Sequence, residues 1–290
     1  MLGVPARIAG CGEIIMCTPT QGDGSVHPAV LFAASVAGID RIFKIGGVQA
    51  IGAMAYGTDT VPSVDKIFGP GNAYVTEAKQ QVAVQGTAID MPAGPSEVAV
   101  IADRDADPVF VAADFLSQAE HGADSQSVLV TGSEYMIEAV EREVLRQLER
   151  LPRYEPARRA LEHSKLLLLR DREEILSFIN EYAPEHLIIQ TSDYTELAGR
   201  IRNAGSVFLG PYSPESAGDY ASGTNHTLPT NGFARAYSGV NVDSFTRKIT
   251  FQEISPDGLG RLGPVIRKMA EAEGLEAHRN AVTVRLDALK

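Results

Sequence analysis

Four of the six histidines stand beside Asp, Glu, Asn or Gln in dense polar segments, and chemistry would sit in those segments. In Ser117–Gln126 (SQAEHGADSQ), Gln118 and His121 are three apart. On a helix they share a face and could grip one ion or ligand, while Glu120 points elsewhere. The competing reading is a helix C-terminus capped by His121 and Gly122. In Pro184–Gln190 (PEHLIIQ), a carboxylate and an imidazole are adjacent at the mouth of a strand. As a working pair, His186 would be the proton acceptor near neutral pH and Glu185 could activate a water. As a lone dipeptide it is an ordinary strand start, and ligands of parallel sheets usually gather at the opposite, carboxyl end. Adjacent strand residues face opposite ways, so both reach one site only from the loop before the strand.

A third segment, Pro214–Pro229 (PESAGDYASGTNHTLP), has almost no large aliphatic side chains and reads as a long polar loop. Such loops are functional or disordered. Its glycines and flanking prolines favour a shaped site, with Asp219 a candidate metal ligand and His226 a candidate substrate contact. The fourth segment, Glu273–His278, reads equally as a solvated helix end. His27 and His163 lie in ordinary polar contexts and are expected to be structural or surface residues. Together Gln118, His121, Asp219 and His278 offer two imidazoles, a carboxylate and an amide oxygen, a set that suits zinc or a similar divalent ion. Cys11 and Cys17 flank a core strand and are expected to be inert small hydrophobes rather than thiol nucleophiles.

Two glycine-rich turns each follow a strand and open a helix: Lys44–Ala50 (KIGGVQA) and Phe68–Ala73 (FGPGNA). Such turns let a phosphate or dinucleotide approach the backbone at a helix N-terminus. Neither is the GxGxxG fingerprint, and tight turns without a ligand remain the alternative.

The elements around these residues alternate. Strands are expected at Glu13–Cys17, Arg41–Ile45, Glu97–Ala102, Ser127–Thr131, Leu166–Leu169, His186–Gln190 and Ser206–Leu209. Helices are expected at Asp107–Glu120, Glu134–Arg150, Arg172–Tyr182 and Tyr194–Ala204. This spacing predicts an α/β protein with largely parallel sheets and helices on both faces. The alternation forms two blocks joined near MPAGPSE. After about Gly239 it stops. A helical run, Gly260–Ala277, and a short β-like end, Ala281–Leu286, form a tail too small to hold its own core, so it packs on another domain or subunit. The opening MLGVPARIAG reads as the end of a helix, so the chain is expected to begin inside a domain. It also lacks the basic start and apolar stretch of a secretory leader.

The 290 residues are 44% hydrophobic and 22% charged, which allows a sizeable core, with formal net charge −11. That charge argues against nucleic acid or an anionic membrane as partner. No run reaches the ~18 apolar residues of a membrane span. Two cysteines suit a reducing cytoplasm.

In order, KIGGVQAIGAMAYGT, VDKIFGPGNAYVTEAK, IDMPAGPSEV, FLSQAEHGADSQ, PEHLII and SPESAGDYASGTNHTLPT resemble the signature blocks of histidinol dehydrogenases, from about Pro5 to Leu289. The resemblance implies two NAD-dependent oxidations of L-histidinol to L-histidine through a bound aldehyde. It implies zinc on Gln118, His121, Asp219 and His278, which also hold the substrate, together with His186. It makes Glu185 and His186 the catalytic pair, Ser96, His226 and Glu273 further substrate contacts, and Gln49 and Asn72 NAD contacts on the two glycine-rich turns. It implies two incomplete Rossmann-like domains, residues 1–96 for cofactor and 97–240 for zinc and catalysis. An extension, 241–290, would cross to the partner of a homodimer and bring Glu273 and His278 to the partner's site. Members of the family are longer, so an N-terminal third, with a tyrosine that contacts NAD, would lie outside this sequence. The alternatives are a related zinc dehydrogenase of another small alcohol, such as a sulfonated diol, and an inactive, N-terminally truncated fragment, a non-catalytic dimer that binds metal but not NAD.

Overall fold

The computed structural model describes residues 1–92 and 94–289. Ala93, inside the expected domain joint, and Lys290 lie outside the described residues. The chain forms two compact units, Met1–Thr246 and a second from Arg247 onward.

The first unit opens with α1 (Gly3–Ile8), β1 (Ile15–Cys17), α2 (Pro28–Val36), β2 (Arg41–Phe43) and α3 (Gly47–Tyr56). It continues with β3 (Lys66–Ile67), α4 (Ala73–Val84) and β4 (Ala88–Ile89). These strands make two separate parallel pairs, β1 with β2 and β3 with β4. Ile51, Ile67 and Val82 form a small core between α3, α4 and the β3–β4 pair.

The larger sheet starts at β5 (Glu97–Ala102), followed by α5 (Pro108–Ala119), β6 (Gln126–Thr131), α6 (Glu134–Leu148), α7 (Tyr154–His163) and β7 (Lys165–Leu168). Then come α8 (Arg172–Tyr182), β8 (His186–Gln190), α9 (Tyr194–Ala198), β9 (Ser206–Leu209) and α10 (Glu215–Tyr220). The five strands are all parallel, in the order β7-β6-β5-β8-β9. The central strands read EVAVIA and HLIIQ, and every residue of both is buried. A strand covered on both faces has no reason to alternate with polar residues. Side chains still alternate in direction: Val98, Val100 and Ala102 enter the core under α5, α6 and α7, whereas Ala99 and Ile101 enter the one under α8 and α9.

Order reverses between β5 and β8, and a crevice of about 530 Å³ lies there at the carboxyl ends, between Ala102, Thr191 and Ile175. Ser96, Glu185 and His186 lie at the other end of the sheet, where β5 and β8 begin.

The second unit pairs α11 (Pro256–Ala272) with α12 (Glu276–Asp287). Here an expectation is corrected: the β-like run Ala281–Leu286 lies inside a helix. Its alternating β-branched residues suit a strand, but Leu286 packs so closely on Gly263 that any Cβ there would meet it at 2.7 Å. Packing of this kind overrides a weak local preference. Among the described residues no helix is long and apolar enough to cross a membrane.

Candidate active site and metal centre

The site is assembled where three segments meet. Helix α8 ends in an unusual way: Ala183, fully buried, caps it in the left-handed conformation at φ 53°. That conformation costs a non-glycine residue about 1–2 kcal/mol and turns the chain sharply into Pro184, Glu185 and His186. The turn is pressed against the start of β9, where a Cβ on Gly205 would meet the Glu185 carbonyl oxygen at 2.6 Å. Glu185 precedes the strand and His186 is its first residue, so both side chains reach one place.

The Glu185 carboxylate accepts the Glu97 backbone N–H at 3.0 Å. Burial raises its pKa to about 8. The His186 ring is buried beside the Phe208 ring, and burial lowers its pKa to about 4, so it is neutral near pH 7. Its Nδ1 lies 3.4 Å from the Glu97 carbonyl, which can only accept, with Glu185 Oε2 at 3.7 Å and Glu215 Oε1 at 3.9 Å. The ring proton therefore belongs on Nδ1, and Nε2 carries the lone pair. That Nε2 is buried and has no hydrogen-bond partner among the described residues. An orphaned basic nitrogen in a buried site is where a substrate hydroxyl fits.

Helix α5 brings Gln118, fully buried, and His121 just past its end. Asp219 comes from α10, so its segment is not the wholly irregular loop expected from composition. Glu215, first residue of that helix, is 2% exposed. Gly218 lets α10 lie flat on Phe208, whose ring a Cβ would meet at 2.7 Å. The donor atoms of His121, Glu215 and Asp219 all lie within 4.8 Å of one another. An imidazole and two carboxylates so gathered suit zinc. With its amide turned so that both ends are satisfied, Gln118 donates its NH2 to the two Glu215 oxygens at 2.5 and 3.2 Å. Its oxygen then accepts the Glu97 N–H at 3.2 Å. His226, exposed, stands with Nδ1 3.7 Å from Asp219 Oδ1. Ser96, half-buried, immediately precedes β5. Glu273 caps the end of α11 and His278 lies on α12, both in the second unit.

Glu215 was not among the site residues expected from the sequence. The signal was present: a glutamate right after a proline, four residues ahead of Asp219 on one helical face.

One turn ahead of Gln118, buried Asp114 accepts the Gln190 amide, and burial raises its pKa to about 6 from 3.8. The folded state holds this proton up to about pH 6 and the unfolded chain only to about pH 4. Stability from this group is therefore present at acid pH and is lost as the pH rises through that window. Asp114→Asn is expected to shrink the fall in unfolding free energy between pH 5 and pH 8 by about 1 kcal/mol. Denaturant titrations at the two pH values check this, and an unchanged difference would contradict it.

The two glycine-rich turns lie in the small parallel pairs. Gly46 and Gly47 start α3, with Gln49 exposed on its first turn. Asn72 caps α4, its side-chain oxygen accepting the Val75 N–H at 3.1 Å. The turn before it is held by a buried ion pair between Lys79 and Asp90. Lys79 Nζ donates to the Gly69 carbonyl at 3.0 Å, and Asp90 accepts the Gly69 N–H at 2.8 Å. A Cβ at Gly71 would meet the Val75 side chain at 2.4 Å, so only glycine lets the turn pack this closely on the first turn of α4.

A family profile described as histidinol dehydrogenase matches residues 1–286. The chain belongs to the histidinol dehydrogenase family. A histidinol dehydrogenase of Bacteroides thetaiotaomicron is 65% identical over 290 residues, all of this chain and 68% of that protein. One of Xanthomonas euvesicatoria pv. vesicatoria is 56% identical over 287 residues, 99% of this chain and 67% of that one. The crystal structure of the histidinol dehydrogenase of Elizabethkingia anophelis is similar with a TM-score of 0.97 at 57% identity. It is covered to 67%, and this chain to 100%. The chain thus spans about two thirds of the length of these relatives, and the parallel α/β architecture expected from the sequence is the family's.

Proposed function

We propose that the chain oxidises L-histidinol to L-histidine in two steps. The observation that carries this reading is the bare, buried Nε2 of a neutral His186, with the His121–Glu215–Asp219 donor group close by. NAD, when bound, supplies the hydride acceptor for both oxidations. Zinc, when bound, supplies an electron-pair acceptor for the substrate's nitrogen atoms. Gln118, His121 and Asp219 would hold it, and His278 would come from the partner of a homodimer together with Glu273. Ser96 and His226 line the substrate, and Gln49 and Asn72 meet NAD.

In the first oxidation His186 Nε2 takes the hydroxyl proton as the carbinol carbon loses hydride. Glu185 and Glu215 lie beside the imidazolium, and its charge favours their ionised forms. In the second, the ionised form of Glu185, which predominates above about pH 8, takes a proton from the water that adds to the aldehyde carbon. The hydrate anion then loses hydride, and its remaining hydroxyl proton passes to solvent to leave the carboxylate. No thiol is needed. Cys11 and Cys17 remain unpaired, which supports a cytoplasmic location.

Supplying L-histidinol and NAD to the zinc-loaded protein should yield histidine and two NADH for each. Turnover of a sulfonated diol in its place, with histidinol inert, would replace this reading. Metal binding without NADH binding or turnover would leave only a metal-binding dimer.

A further inference from the structure

We infer that Glu215 is a positioning residue that sets which end of the Gln118 carboxamide faces the metal. The inference rests on the zinc-site reading above and assigns a role to a side chain outside the expected ligand set. An amide can present oxygen or nitrogen, and only the oxygen binds a cation. In a buried site the choice follows from what the other end can pair with. Gln118 is wholly buried on α5 and Glu215 is 2% exposed at the start of α10. With the amide turned so that both ends are satisfied, the Gln118 NH2 lies 2.5 and 3.2 Å from the two carboxylate oxygens. With Glu215 ionised, reversing the amide would set its oxygen against those oxygens, an arrangement of acceptors alone. With the NH2 committed to Glu215, the oxygen takes the Glu97 N–H with one lone pair and keeps the second for a cation. The same carboxylate stands 3.9 Å from His186 Nδ1. It therefore touches both the metal-holding and the proton-accepting side chains. It acts on the metal through Gln118, as outer partners of metal ligands do.

The test is a four-protein cycle: the wild type, Glu215→Gln, Gln118→Ala and the double variant. Zinc affinity is read by competition with a chromophoric chelator, and the ligand field by the visible spectrum of the cobalt-loaded protein. Glu215→Gln lets the two amides pair in either sense and should weaken zinc binding about 10–100-fold with an altered cobalt spectrum. The double variant should bind zinc no more weakly than Gln118→Ala, because Glu215 has nothing left to orient. Additive losses would show that Glu215 acts on the metal without Gln118 and would overturn the inference, as would wild-type affinity and spectrum in Glu215→Gln. Should Glu215→Gln fold poorly, Glu215→Asp keeps the charge and withdraws the oxygens by one methylene. It is expected to bind zinc less tightly than the wild type, and unchanged affinity would count against the inference. A wild type that binds neither zinc nor cobalt would instead sink the zinc-site reading itself, so the two failures are separable.

Discussion

His186→Asn should slow the oxidation of histidinol about 10²–10⁴-fold, the usual cost of losing a general base. Asparagine keeps a polar group at the Nδ1 position, which faces the Glu97 carbonyl, and removes the bare Nε2 that the reading assigns to the hydroxyl proton. The fold should survive, because the strand around it is held by Leu187, Ile188 and Ile189, all buried. Glu185→Gln should behave differently. It can still accept the Glu97 N–H through its amide oxygen, so the turn is kept. It cannot take a proton from water, so turnover of supplied histidinaldehyde should fall while alcohol oxidation is spared. Single-turnover measurements of each half-reaction separate the two. Equal loss of both half-reactions in Glu185→Gln, with zinc bound and the fold intact, would discard this division of labour.

Asp219→Ala and His121→Ala should each lower zinc affinity by at least about 100-fold, since even outer partners of a ligand are worth about 10–100-fold. Their donor atoms lie with Glu215 within 4.8 Å, so removing either opens the group. Asp219 sits on a short helix and His121 is exposed just past one, so neither change hollows a core. Thermal stability of the metal-free protein should move little, and the stabilisation that excess zinc gives the wild type should vanish. Zinc affinity unchanged in both variants would move the metal elsewhere in the molecule.

The sequence alone was enough for the elements that depend on local pattern. The apolar runs at Glu97–Ala102, His186–Gln190 and Ser206–Leu209 and the helix at Arg172–Tyr182 were readable from their composition and period. So was the membership implied by the ordered blocks, because polar residues around Asp219 and His226 have no packing reason to occur in that order. Three things needed the tertiary structure. Glu215 is separated from Gln118 by 96 intervening residues (215 − 118 − 1), and nothing local reveals that the two side chains meet. The state of His186 depends on what surrounds it: burial keeps it neutral, and the Glu97 carbonyl at Nδ1 leaves the lone pair on a partnerless Nε2. The tail's alternating residues Ala281–Leu286 became a helix because Leu286 found Gly263. Sequence carries the preferences of neighbours along the chain. Proton positions, amide orientation and helix contacts are set by neighbours in space, through burial and the acceptors each group can reach.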